Sequence, residues 1–137
     1  MADRTAPVII HVTREYHITQ ARQAAVTLAR EIGFSPTRIS CVATAVSELA
    51  GNLFLHASRG GAITLAVVER EGEIGVEAIA QDHGPGIPDV NRAMEDGFST
   101  SGGLGEGLPG VERLMDEFEI ISEVGGGTTV AMKKWVE

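Results

Sequence analysis

Two β-patterned runs, residues 62–69 and 73–81, are joined by a turn around Glu71-Gly72. The second run ends in Asp82-His83-Gly84-Pro85-Gly86-Ile87. A hairpin this short fixes its own register, because the turn sets which residues face each other. The consequence is specific. A carboxylate is delivered to a strand end, and Gly84 and Gly86 then let the backbone turn sharply with no Cβ in the way.

The remaining pattern supplies the layers around that hairpin. Val8, Ile10 and Val12 alternate as in a strand. Ile18, Ala21, Ala25, Leu28, Ala29 and Ile32 form a helical stripe, closed by Gly33. Ser35-Pro36 reads as an N-cap with proline at the first helical position. The helix it opens runs to about His56, with Ile39, Val42, Val46, Leu49 and Leu53 facing inward. Pro88 to Met94 suggests a short helix, Phe98 to Gly107 a loop, and Leu108-Pro109 a helix reaching about Glu117. Phe118–Val124 and Thr128–Val136 form a last hairpin around Gly125-Gly126-Gly127. Paired strands separated by helices predict an α+β fold, with helices on one face of a mixed, largely antiparallel sheet. The whole chain, 1–137, fits one domain.

Composition narrows the function. The net charge is −8 without any basic block, which argues against non-specific nucleic-acid or anionic-membrane binding. Cys41 is the only cysteine, so no internal disulfide can form. Met1 to Pro7 has no secretory pattern, and no apolar run approaches membrane-spanning length. A soluble cytoplasmic domain is expected.

Three constellations carry chemistry. Glu48 and Asn52 are four residues apart in the second helix and share a face offset from the Leu49/Leu53 stripe. The amide oxygen of Asn52 suits Mg²⁺, which binds few protein ligands and keeps waters and phosphate oxygens. Glu48, one turn away, could accept a proton from an attacking hydroxyl. Gly51 and Asn52 are poor helix formers, so something besides helix stability favours them. Asp82 can accept a hydrogen bond from the exocyclic amine of adenine and repel guanine, which presents an acceptor there. Gly102, Gly103, Leu104, Gly105, Gly107 and Leu108 form a glycine loop leading into a helix, whose amides could cradle phosphates. Alone, each also fits a plainer role: a solvated helix face, an ordinary turn, a surface loop. The spacing excludes a Rossmann fingerprint, and no Gly-Lys-Ser/Thr of a Walker loop exists.

Together and in this order, these motifs resemble the adenine-nucleotide pocket of the GHKL ATPase/kinase family, whose domain is the Bergerat α/β sandwich. Beyond the pocket, stretches such as Ser47-Glu48-Leu49-Ala50, Gly84-Pro85-Gly86-Ile87-Pro88-Asp89 and Gly97-Phe98-Ser99-Thr100-Ser101-Gly102-Gly103-Leu104-Gly105 are similar to bacterial serine/threonine kinases of stressosome partner-switching pathways. The resemblance implies Mg²⁺ and ATP as cofactors and Glu48 as general base. It also implies Asn52 as metal ligand, Asp82 as adenine-binding residue, and Gly84, Gly86, Gly103, Gly105 and Gly107 in the nucleotide loops. A threonine, Thr128 or Thr129, would back the aspartate. STAS-domain proteins would be substrates, and a PP2C-type phosphatase would be activated by the released kinase. The alternatives are an anti-sigma factor kinase acting on its antagonist and a non-catalytic ATP-sensing module. From Ala93 to Glu112 there is no lysine or arginine. Mg²⁺ and backbone amides must therefore neutralise the γ-phosphate, unless Arg92, Arg113 or a partner contributes, and a slow kinase is expected.

Overall fold

A computed structural model describes residues 6–56, 60–82, 107–123 and 127–137. The elements are β1 (Val8–Val12), α1 (Tyr16–Glu31), α2 (Pro36–His56), β2 (Gly61–Arg70), β3 (Glu73–Asp82), α3 (Leu108–Leu114), β4 (Glu117–Glu123) and β5 (Gly127–Trp135). The strands lie in the order β1-β2-β3-β5-β4. Every pairing among the described residues is antiparallel, so the parallel component of the expected mixed sheet is not seen there.

Local chemistry explains the borders. Glu71 and Gly72 both take positive φ, 52° and 82°, between the paired Arg70 and Glu73. That is the two-residue turn whose twist suits a hairpin. Gly33, at φ 99°, ends α1, and the Phe34 N–H returns to the Ala29 carbonyl. The Ser35 hydroxyl accepts the Arg38 N–H at 3.2 Å and so caps α2. The expected last helix is shorter than the pattern suggested. Met115 is already extended, and Asp116 turns its carboxylate to the Trp135 N–H at 2.9 Å. The expected helix at 88–94 and most of the loop at 98–107 lie outside the described residues.

The core sits between the three helices and one sheet face. Ile10, Val12, Ile63, Leu65, Val76, Ala78, Ala80, Val130 and Met132 point to the helices, alternating along their strands as period two requires. Against them α1 places Ala21, Ala25 and Ala29, small enough for close approach, and α2 places Val42, Val46, Leu49 and Leu53. By length and composition α2 would suffice to cross a bilayer, at 21 residues and hydropathy 1.2, contrary to the expectation above. Its apolar stripe is instead core, and it carries Glu48 among its buried residues.

Two glycines on the sheet tolerate no side chain. Gly61 lies opposite Asp82, and a Cβ there would sit 2.6 Å from Leu53 Cδ2 and 2.9 Å from the Gln81 carbonyl. Gly75 lies opposite Trp135, whose ring a Cβ would meet at 2.8 Å. Trp135 is itself clamped. Arg70 stacks 4.5 Å over its ring and pairs with Glu117, while the indole N–H donates to Glu117 at 2.7 Å. The Arg70 hydrogen bond, then the Trp135 one, hold the Glu117 carboxyl below its ordinary range. Because the folded value is the lower one, this stabilisation is present above the unfolded value and is lost as pH falls through the folded one. Glu117→Gln should therefore lower the melting temperature at neutral pH, and the two melting curves should converge in acid. A gap independent of pH would contradict the assignment.

Candidate nucleotide site

Helix α2 packs over β2 and β3 and carries Glu48 and Asn52 toward its C-terminal end. Leu53, next in sequence to Asn52, lies on Gly61, which pairs with Asp82. The end of α2 and the end of β3 are thereby held at one margin of the sheet. Asn52 adjoins Leu53 at this margin and Asp82 ends β3 there, while Glu48 lies one turn further back along α2.

Glu48 is 4% exposed, and neither of its carboxylate oxygens has a hydrogen-bond partner among the described residues. That is a costly arrangement for a charge. Burial pushes its carboxyl above the usual range, and the nearby Gly107 amide draws it part of the way back without a formed hydrogen bond. A solvated polar helix face does not fit a residue so buried. Asn52 is half-buried one turn further on.

Asp82 is oriented from the neighbouring strand. Its Oδ1 accepts the Thr128 N–H at 3.2 Å. The Thr128 hydroxyl lies 3.0 Å from that of Ser122, which also donates to the Gly127 carbonyl at 3.4 Å. Of the two candidate threonines, Thr128 is the one beside Asp82. Thr129 pairs with Gln81 and lies on the other sheet face. Ser122 had not been singled out. Its signal was the hairpin register around the triple glycine, which sets Ser122 opposite Thr128.

Gly107 is buried and precedes α3 at φ 77°, a backbone that favours glycine, and Leu108 opens the helix half-buried. Gly84, Gly86, Gly102, Gly103, Leu104 and Gly105 lie outside the described residues. The donor set suits Mg²⁺ arriving with a nucleotide. It offers one neutral amide oxygen and one buried carboxylate, and among the described residues no three His, Cys, Asp or Glu side chains gather into a metal cage.

The profile of the histidine kinase-like ATPase domain matches residues 11–134. The chain belongs to the histidine kinase-like ATPase family. Within this GHKL family it is 48% identical over 127 residues to the serine/threonine-protein kinase RsbT of Bacillus subtilis, covering 93% of this chain and 95% of that one. It is 33% identical over 119 residues to an anti-sigma F factor of Clostridium acetobutylicum, covering 83% and 82%. Among solved structures, the RsbU and RsbW domains of Rv1364c from Mycobacterium tuberculosis superpose with TM-score 0.64 at 21% identity. That match covers 95% of this chain and 32% of the other, and it supports the fold alone. The mycobacterial sensor histidine kinase MprB superposes with TM-score 0.56 at 17% identity, covering 96% and 97%. The five-stranded antiparallel sheet under three helices seen among the described residues is thus a GHKL ATPase fold. The relation to RsbT makes this chain an enzyme, a serine/threonine-protein kinase of the GHKL type.

Proposed function

We propose that the chain is an ATP-dependent protein serine/threonine kinase of a bacterial partner-switching pathway, with STAS-domain stressosome proteins as substrates. Once released, it would activate a PP2C-type phosphatase. It would act in the cytoplasm as a single domain spanning residues 1–137. The observation that carries the reading is Glu48, a buried carboxylate with no hydrogen-bond partner among the described residues, one turn from Asn52. Such a group is waiting for a donor, and the hydroxyl of a serine or threonine acceptor is one. Burial raises its affinity for a proton, the direction that strengthens a base.

In this reading Asp82, held by Thr128, receives the adenine amine. Gly84, Gly86 and the glycine loop from Gly102 to Gly107, with Leu108, follow the phosphates. Asn52 would hold Mg²⁺, which when bound offsets charge on the phosphates. Glu48 orients the acceptor hydroxyl and takes its proton.

A second reading has its own support: the likeness to anti-sigma F factors, including one from Caldanaerobacter subterraneus at 34% identity over 85% of this chain. It shares the pocket and differs in the partner. The test is to incubate the chain with Mg-ATP and either a STAS-domain protein or a sigma factor from the same genome. Phosphoserine or phosphothreonine on the STAS protein, without a stable sigma complex, is the expected result. Sigma capture would favour the second reading. ATP binding with no transfer would leave a nucleotide-sensing module.

A further inference from the structure

Helix α3 is too short to hold itself in place. Seven residues make under two full turns, about 10 Å, well below the length at which helices persist alone. Gly107 supplies no side-chain cap at its start, and Gly110 weakens its middle. Yet Gly107, Pro109, Gly110 and Val111 are buried, and α3 packs on α2 close to Glu48.

What fixes α3 is a polar cluster at its far end. Lys134, only 8% exposed, donates its ammonium to the Leu114 carbonyl at 2.7 Å, completing the last turn. The same ammonium lies 3.5 Å from Asp116. Asp116 also accepts the Trp135 N–H, and its own N–H donates to the Lys133 carbonyl at 3.0 Å. Arg38, from the first turn of α2, donates to the Trp135 carbonyl at 3.0 Å and approaches Asp116 at 3.4 Å. One cluster thus ties the start of α2, the end of α3 and the end of β5. Lys134 stands at a core-facing position of β5, in alternation with Val130 and Met132, where an apolar residue would serve packing better.

We propose that Lys134, Asp116 and Arg38 are positioning residues for phosphoryl transfer. They fix the C-terminal end of α3 and thereby the seating of its buried start, Gly107 to Val111, on α2, the helix that carries Glu48. The inference rests on the reading of Glu48 given above. Displacement of a catalytic neighbour by an ångström costs up to ~10²-fold in rate. The adenine end is held separately, by Asp82 and Thr128 on β3 and β5.

The experiment compares the full chain with Lys134→Met and Lys134→Arg. Three quantities are read: transfer to a STAS acceptor, ATP affinity, and amide hydrogen exchange. Lys134→Met should lose transfer by ~10–100-fold with ATP affinity unchanged. The Val111 and Met115 amides, which bond within α3, should exchange faster while those of β2 and β3 keep their protection. Lys134→Arg, which can still donate, should restore both. Wild-type protection of Val111 and Met115 in Lys134→Met would overturn the proposal. So would uniform loss of protection, which is mere destabilisation, or ATP affinity falling in step with rate. Full transfer by Glu48→Gln would instead remove the base itself and leave the Lys134-dependent protection of α3 standing.

Discussion

Glu48→Gln is expected to slow phosphoryl transfer by ~10²–10⁴-fold and, at neutral pH, to raise the melting temperature. The two effects have one cause. The carboxylate is buried with no donor to either oxygen among the described residues, so its charge is carried at the expense of stability. The sign follows from linkage. Burial raises the folded-state value above the ordinary 4.5, so the unfolded chain gives up the proton first as pH rises. Stability therefore falls between the unfolded and folded values, and the whole penalty is present above the latter. Glutamine carries no charge and escapes it. The gap between the two melting temperatures should be absent in acid, open as pH rises past the unfolded value, and then level off. ATP binding should be largely retained, because the base acts on the acceptor hydroxyl. Calorimetric scans across pH with single-turnover labelling measure both halves. Wild-type transfer would return Glu48 to a structural role, and a variant less stable at neutral pH would mean that the carboxylate has a donor after all.

Asp82→Asn should cost the protein its preference for adenine. A hydrogen bond to a charged group contributes about 1.5–3 kcal/mol, or ~10–150-fold in affinity. The wild-type carboxylate is oriented by the Thr128 N–H, itself in a chain that runs through Ser122 to the Gly127 carbonyl. An asparagine in the same place can turn a donor where the adenine amine also donates. ATP affinity should drop by that factor, while GTP, freed from carboxylate repulsion, should drop less or gain. Equal affinities for ATP and GTP in the wild-type chain would sink the adenine assignment. Thr128→Val is the control. It keeps the backbone donor to Asp82 and removes only the hydroxyl contact with Ser122, so it should weaken ATP less.

Periodicity made the elements legible because each is bounded by residues with a local preference. Glu71-Gly72 can form one tight turn, Gly33 can take a positive φ, and Ser35 can cap. The end of α3 was not legible. What stops that helix at Leu114 is a lysine twenty residues later and a carboxylate that prefers a strand amide to another helical turn. Within the candidate site, i and i+4 spacing placed Glu48 and Asn52 on one face, but no spacing reveals that Glu48 is buried with no donor among the described residues. That depends on how α3 closes over α2. The choice between Thr128 and Thr129 needed the register of β3 with β5, since a shift of one residue exchanges the two faces.

Gly61 has a meaning beyond its place in the sheet. It is a spacer between α2 and β3: Leu53 of the helix that carries Asn52 rests on its bare backbone, and Asp82 is its partner across the ladder. In the proposed site, the thickness of one missing methyl group would therefore help set how far Asn52 stands from Asp82. Any side chain at this place would press on Leu53 and on the Gln81 carbonyl, wedge the helix away from the strand and so widen the proposed site from its rear.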